Sequence, residues 1–168
     1  MRVTIMRYSL EKSIGDYLRE RDWTLSIAES CTGGLVSHRI TNVPGSSVYF
    51  EGSIVCYSNR VKARYLHIPL KTIEHFGAVS PQIARRMAHG IGEAFHTEFG
   101  LSTTGVAGPT GGTKKTPVGT VFIGFSDRKR TRVKRFVLKG TRREIKKEAA
   151  EKALLFLREC LTLHARHQ

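Results

Sequence analysis

The sequence is poor in cysteine, with only Cys31, Cys56 and Cys160 among its 168 residues. Because their number is odd and they lie far apart, they suit reduced thiols better than a disulfide framework. The seven histidines show no HExxH-type spacing and no CxxC pair is present, so the sequence implies no metal site. These features predict a protein of the reducing cytoplasm.

Long apolar runs are also missing, since the longest extend over only a few residues, far below the roughly 20 that cross a bilayer. Arg2 and Arg7 are not followed by the apolar core of a signal peptide. We therefore expect no contact with a membrane. A length of 168 residues with 40% hydrophobic side chains suits one core, which predicts a single domain over residues 1–168.

Negative charge is scarce, because 14 acidic residues face 28 lysines and arginines and leave a formal net charge of +14. Half of the basic residues lie within residues 126–168, and residues 128–135 read RKRTRVKR. Such a stripe can be the footprint of a nucleic-acid-binding surface, but high net charge also occurs with no specific partner. No RNP-type aromatic signature or zinc-finger spacing accompanies it. Nucleic acid is therefore an alternative partner and not the favoured one.

Apolar periodicity of about 3.6 residues and capping residues predict the helices. Ser9, Ser80 and Thr141 each precede such a pattern and can accept a hydrogen bond from the first free amides. Pro81 after Ser80 and Glu144 after Thr141 strengthen two of these starts. The predicted helices cover residues 9–22, 35–40, 58–65, 80–99 and those from 141 on.

Short runs of β-branched and apolar residues between turn signals predict the strands. They cover residues 23–28, 50–57, 101–107, 118–125 and 131–138. A polar turn separates the last two, which predicts an antiparallel pair with one face in solvent. Strands and helices in alternation, closing in a hairpin and a helix, predict a single three-layer α/β/α domain with a mixed sheet.

Three segments contain more glycine and small polar residues than turns alone require. The first, AESCTGG at residues 28–34, follows a predicted strand and opens a helix. It brings Glu29, Ser30 and Thr32 to a helix N-terminus, where free amides favour an anion or an oxyanion. The alternative is that Ser30 only caps the helix and the glycines only form the turn.

The second segment offers a nucleophile and a base. Ser46 or Ser47 follows the glycine of PGSS, and folding could bring either hydroxyl to the amine of Lys62. A buried lysine acts as a base once burial or neighbouring positive charge, here Arg60 and Arg64, lowers its pKa. The alternative is a solvated lysine on a basic helix.

The third segment is the glycine-rich loop TTGVAGPTGG at residues 103–112, after a predicted strand. It lacks the GK[ST] ending of a P-loop and contains no GxGxxG, which disfavours a nucleoside triphosphatase. Thr103, Thr104 and Thr110, together with loop amides, could still bind a single phosphate or a carbonyl group.

These segments and their neighbours resemble the CinA C-terminal-domain family, which includes PncC-like amidases of nicotinamide nucleotides. The shared stretches run in order through nearly the whole chain. They are AESCTGG at 28–34, PGSS at 44–47, YFEGSIVCYSN at 49–59 with Lys62, HFGAVS at 75–80, GVAGPTGG at 105–112 and PVGTVFIGF at 117–125. The resemblance implies an enzyme that deamidates nicotinamide mononucleotide to nicotinate mononucleotide and ammonia. It also implies a homo-oligomer that needs no metal or organic cofactor.

The same resemblance implies roles for individual residues. Ser47 would be the nucleophile and Lys62 its base, with Ser30 in the proton relay or oxyanion site and Tyr57 positioning the substrate. Residues implied in substrate binding are Thr32, Gly33, Thr104, Gly105 and Arg142, the last through the phosphate. Because a serine at a strand-to-helix turn is also a sensible nucleophile, Ser30 is the alternative to Ser47. The competing interpretation is a competence-related nucleic-acid or nucleotide-binding protein without amidase activity.

Overall fold

The computed structural model describes residues 9–166, and Arg2 and Arg7 lie outside the described residues. Five strands form within this range: β1 (Leu25–Glu29), β2 (Phe50–Val55), β3 (Phe99–Gly105), β4 (Thr120–Ser126) and β5 (Thr131–Val137). The α-helices of the same range are α1 (Leu10–Arg19), α2 (Leu35–Thr41), α3 (Asn59–Leu66), α4 (Leu70–Phe76), α5 (Pro81–Phe95) and α6 (Arg142–Ala165). A single 3₁₀ turn, Ser46–Val48, precedes β2.

The strands form one mixed sheet in the order β2-β1-β3-β4-β5. Strand β1 is parallel to both β2 and β3, whereas β4 is antiparallel to β3 and β5 is antiparallel to β4. The predicted mixed sheet and its closing hairpin are therefore confirmed. All parallel pairing lies in one half of the sheet, so the carboxyl ends of three neighbouring strands share one edge.

Helices cover both faces of this sheet and complete the predicted three layers. Helices α1, α2 and α6 pack on one face, where Leu154, Leu157 and Leu161 of α6 enter the larger core cluster. Helices α3, α4 and α5 lie on the other face, where Ile83 and Met87 of α5 are fully buried. Each such buried side chain contributes about 1.5–3 kcal/mol to folding.

Side-chain caps fix where α1, α5 and α6 begin, and Ser58 does the same for α3. Ser9 Oγ accepts from the Lys12 amide at 3.2 Å, and Ser80 Oγ accepts from the Ile83 amide at 3.3 Å. Thr141 and Glu144 form a reciprocal capping box at the start of α6. These starts were predicted because a cap needs only neighbouring residues.

Helix α5 is shorter than predicted. It ends at Phe95 because His96 adopts a left-handed conformation with φ 55°, and Phe99 already belongs to β3. Helix α4 was not predicted at all, since its seven residues carry only one buried side chain, Ile73. Within residues 9–166, no helix combines the length and apolarity needed to span a bilayer.

Candidate active site

A cavity of about 300 Å³ opens at the carboxyl edge of β1 and β3. The chain leaves β1 toward β2 on one side and leaves β3 toward β4 on the other, so the two following loops diverge. Such a switch in strand order is where open α/β sheets bind their ligands. The walls come from the turn after β1, the loop after β3, the start of α3 and the first residue of α6.

Glu29, the last residue of β1, fixes the turn that enters this cavity. Its fully buried carboxylate accepts from the amides of Gly34 at 2.9 Å and Ser37 at 2.8 Å at the start of α2. It also accepts from the hydroxyl of Thr32 at 2.6 Å. A carboxylate at a helix N-terminus satisfies amides that otherwise have no partner. The anion that the sequence predicted at this helix is thus provided by the protein itself.

Ser30 and Lys62 meet inside the cavity. The Lys62 ammonium donates to Ser30 Oγ at 3.3 Å and to the carbonyl oxygen of Cys56 at 2.9 Å. Lys62 lies one turn after Ser58, the cap of α3, and its side chain is only 1% exposed. Burial lowers the pKa of the Lys62 amine below its ordinary value, because the charged form loses its hydration. An amine of this kind can remove a proton from the neighbouring hydroxyl.

Ser47 lies elsewhere, and the predicted pairing of Ser47 with Lys62 is not formed within this chain. Ser47 sits in the exposed 3₁₀ turn before β2. The carbonyl of Tyr49, two residues later, accepts from the amide of Leu25, the first residue of β1. Ser47 is therefore at the amino edge of the parallel strands. The length of strand between that edge and the cavity is more than about 13 Å. The serine that contacts Lys62 is Ser30.

The end of β3 supplies the facing wall through Thr104 and Gly105. The buried Thr104 hydroxyl donates to the carbonyl oxygen of Ala78 at 2.7 Å. Its single proton is engaged there, so toward a ligand the Thr104 oxygen acts as an acceptor. A Cβ at Gly105 would approach the Thr120 carbonyl oxygen to 2.6 Å, so glycine is needed for the close pairing of β3 with β4.

Arg142, the first residue of α6, spans the mouth of the cavity. Its guanidinium donates to the carbonyl oxygen of Gly108 at 2.6 Å and to the hydroxyl of Tyr57 at 2.6 Å. These two bonds tie three separate segments together. Because a guanidinium has five N–H donors, others stay free for an anion beside the N-terminus of α6.

The sequence profile of the CinA C-terminal domain matches residues 7–161, which is most of the chain. The chain belongs to the CinA C-terminal-domain family. It is 48% identical over 153 residues to a CinA-like protein of Dictyoglomus thermophilum and 44% identical over 154 residues to another of Syntrophus aciditrophicus. Each alignment covers 91% of this chain and 37% of the relative. The chain thus spans little more than a third of the length of these curated relatives.

Solved structures of the CinA family share the fold. The competence damage-inducible protein A (ComA) from Klebsiella pneumoniae matches with a TM-score of 0.88 and 29% identity, covering 91% of this chain and 95% of that one. The competence/damage inducible protein CihA from Agrobacterium tumefaciens matches with a TM-score of 0.87 and 34% identity, covering 91% and 93%. These names refer to competence and damage and do not state a reaction.

Two residues expected in substrate binding do not line the cavity of this CinA-family chain. Thr32 is fully buried, and its hydroxyl is shared between Glu29 and Thr103, so it supports the turn from behind. Gly33 adopts a φ of 62°, and a Cβ there would lie 3.2 Å from the amine of Lys146 on α6. Gly33 therefore makes the turn and faces α6 rather than the cavity.

Two further cavity residues were assigned no role from the sequence, although they lie in its candidate segments. Cys31 and Asn59 both line the wall. Burial raises the pKa of the Cys31 thiol to about 12, which keeps it protonated and makes it a poor nucleophile. Asn59 was detectable, since it lies three residues before Lys62 and therefore on the same face of α3. Among residues 9–166, no group of three or more His, Cys, Asp or Glu side chains is placed to hold a metal ion.

Proposed function

We propose that this chain is an amidohydrolase that converts nicotinamide mononucleotide to nicotinate mononucleotide and ammonia. The observation that carries the proposal is the buried contact of 3.3 Å between the Lys62 amine and Ser30 Oγ, in a cavity with an arginine at its mouth. A serine and a lysine in contact form a nucleophile and its base. Ser30 takes the nucleophilic role in this proposal, and Ser47 does not.

The first step forms an acyl-enzyme. Neutral Lys62 removes the Ser30 hydroxyl proton while Oγ bonds to the carboxamide carbon, which gives a tetrahedral oxyanion. The amide of Cys31, the residue after the nucleophile, is in the sequence position that supplies an oxyanion donor at strand-to-helix turns. One such donor contributes about 3 kcal/mol to transition-state stabilisation. The Lys62 ammonium then returns its proton to the carboxamide nitrogen, and ammonia leaves as the carbon–nitrogen bond breaks.

The second step regenerates the serine. Lys62, neutral again, takes a proton from a water molecule whose oxygen attacks the ester carbon. The carbon–Oγ bond breaks, the proton returns to Ser30 and nicotinate mononucleotide is released. The same amine therefore serves as base and acid in both halves of the reaction. The positive pyridinium ring assists both attacks because it withdraws electrons from the carbonyl carbon.

Ser30 and Lys62 form the proposed dyad. Binding of the substrate follows from the polar groups around it. The Thr104 oxygen, which can only accept, suits the N–H groups of a carboxamide. The guanidinium of Arg142 suits the phosphate. A cavity of about 300 Å³ is at the small end of the range for ligand pockets, which favours a mononucleotide over a dinucleotide. Assembly into a homo-oligomer stays a prediction.

Ammonia release from purified protein tests the proposal. We expect Ser30→Ala and Lys62→Met each to lower kcat by at least about a thousandfold, and the double variant to be no worse, because the two groups act as one unit. Ser47→Ala is the matched control and should retain activity within about twofold. Loss of activity in Ser47→Ala with full activity in Ser30→Ala would instead assign the nucleophile to Ser47.

The substrate is tested with the same assay on the riboside, which lacks the phosphate. We expect a KM for the riboside at least about tenfold above that for the mononucleotide, and Arg142→Lys should remove most of this difference. Tight binding of the mononucleotide by the folded wild type without ammonia release would contradict the amidase. It would support a nucleotide-binding role.

A further inference from the structure

A second cavity, unrelated to the dyad, lies between the outer face of α5 and the turn that joins β4 to β5. Its volume is about 470 Å³, and we refer to it as the basic groove. Its cationic lining consists of Arg85 and Arg86 from α5 with Arg128, Lys129 and Arg130 from the turn. No Asp or Glu side chain lines it. Ser126, beside the turn, pairs with Gly100 near the start of β3, so the groove is at the sheet edge opposite the dyad.

Among the described residues, no close ion pair compensates the cations of the basic groove, although the charge of Arg128 helps to lower the pKa of the Glu98 carboxyl. Within residues 9–166, none of the five forms an ion pair with a carboxylate within 4 Å. Asp127, the acid nearest in sequence, accepts instead from the Arg130 amide at 2.6 Å and contacts His164 at 3.1 Å. Five like charges around one concavity repel each other unless an anion enters. The groove is therefore built for a ligand of several negative charges.

The turn that carries three of these cations is held in place. The Arg128 side chain donates through Nε to the carbonyl oxygen of Thr97 at 2.8 Å, and this bond does not use its terminal nitrogens. On the other wall, Gln82, Arg85, Arg86 and His89 recur at the spacing of one helical face of α5. One wall is thus a helix face and the other a turn with a side-chain hydrogen bond to the chain before β3, which lowers the ordering that binding requires.

Positive charge continues from the basic groove along β5. Alternation places Thr131 and Arg135 on the same face of this edge strand, about 13 Å apart. Arg135 donates to the carbonyl oxygen of Lys115 at 3.1 Å, which adds the loop of Lys114 and Lys115 to the track. Cations spread over the groove and this strand suit the several phosphates of a single strand, whose shortest binding sites cover about four nucleotides. A compact anion would need only one cluster of cations.

An exposed aromatic ring in the same groove narrows the choice of ligand. Phe76, at the end of α4, lines the groove and is 41% exposed. Guanidinium groups bind phosphates through two parallel bonds, and an aromatic ring gives unstacked bases a platform. A duplex keeps its bases stacked inside, and an acidic peptide has no bases to stack. We propose that the basic groove binds single-stranded nucleic acid, with the arginines on the phosphates and Phe76 against a base.

Fluorescence anisotropy with a labelled single-stranded oligothymidylate of about 20 nucleotides tests the charge contribution. Affinity should fall linearly with salt on logarithmic axes, with a slope near −3 for about four phosphate contacts. Removing two contacts with Arg85→Gln/Arg86→Gln should weaken binding about 25-fold at about 0.1 M salt and flatten the slope by about 1.4. The matched control, Lys147→Gln/Arg158→Gln, removes two exposed charges from α6 and should change affinity less than about threefold.

The base-stacking contribution is tested at Phe76. Phe76→Leu keeps an apolar side chain without the ring and should lose roughly tenfold in affinity, whereas Phe76→Tyr should keep it. Equal binding of polyglutamate, tighter binding of a duplex of the same length, or an equal loss in the α6 control would each overturn the proposal. Ammonia release should be unchanged in the groove variants, so this test is independent of the proposed amidase.

Discussion

The two edges of one sheet use positive charge in opposite ways. At the carboxyl edge, Lys62 is almost fully buried and bonded to a serine and a backbone carbonyl. At the opposite edge the five cations of the basic groove are exposed and have no acidic partner within 4 Å among the described residues. Burial disfavours the charged form of one amine, as the proposed base requires, whereas exposure keeps the other charges accessible to an anion. Whether a cation is buried or hydrated therefore indicates its role better than the number of cations does.

The largest expected effect is the difference in stability between removing a carboxylate charge at the carboxyl edge and removing one at the opposite edge. Glu29 is fully buried and accepts from several amides of α2, whereas Asp127 at the groove edge is partly exposed. We expect Glu29→Gln to lower the free energy of unfolding by about 3 kcal/mol or more and Asp127→Asn by about 1 kcal/mol. Urea unfolding measures both. Equal losses would mean that Glu29 does not organise the dyad edge.

The pH dependence of stability separates the buried cation from the exposed ones. The folded pKa of Lys62 lies below its unfolded value of 10.5, so unfolding takes up a proton between these two values. Wild-type stability should therefore rise with pH over that window, by at most about 1.4 kcal/mol per pH unit. This gain in the free energy of unfolding is absent at pH values below the pKa of Lys62 in the folded state. It is complete at pH values above the pKa of Lys62 in the unfolded state.

Urea unfolding from about pH 6 to pH 10 measures this slope in the wild type and in Lys62→Met, which should lose it. Lys129→Met is the control because it removes an exposed amine from the basic groove. It should keep the wild-type slope. The same slope in Lys62→Met as in the wild type would show that Lys62 is not the group responsible.

The smallest effect concerns repulsion within the basic groove. Arg85→Gln/Arg86→Gln should raise the free energy of unfolding by a few tenths of a kcal/mol at about 10 mM salt and not at about 1 M salt. Lys147→Gln should act in the opposite direction, since Lys147 lies among Glu144, Glu148 and Glu151. Thermal unfolding at the two salt concentrations measures both. The same sign for the two variants would rule out a repulsive groove.

Local interactions explain why most of the fold could be predicted. The caps at Ser9, Ser80 and Thr141 depend on residues three or four positions away, and the hairpin of β4 and β5 depends on one short turn. The prediction failed where tertiary contacts decided the outcome. Helix α4 has few buried residues of its own, and the end of α5 follows from the left-handed residue His96.

The candidate site divides in the same way. The sequence by itself determined the strand-to-helix turn with Ser30, the helix with Lys62 and the capped start of α6 with Arg142. Only the tertiary structure decided which serine meets the lysine, because Ser30 and Ser47 lie at opposite ends of parallel strands. It also decided that the Lys62 amine is buried while the basic run at 128–135 borders an open groove. Hydration and long-range contact arise from packing, and spacing along the chain does not encode them directly.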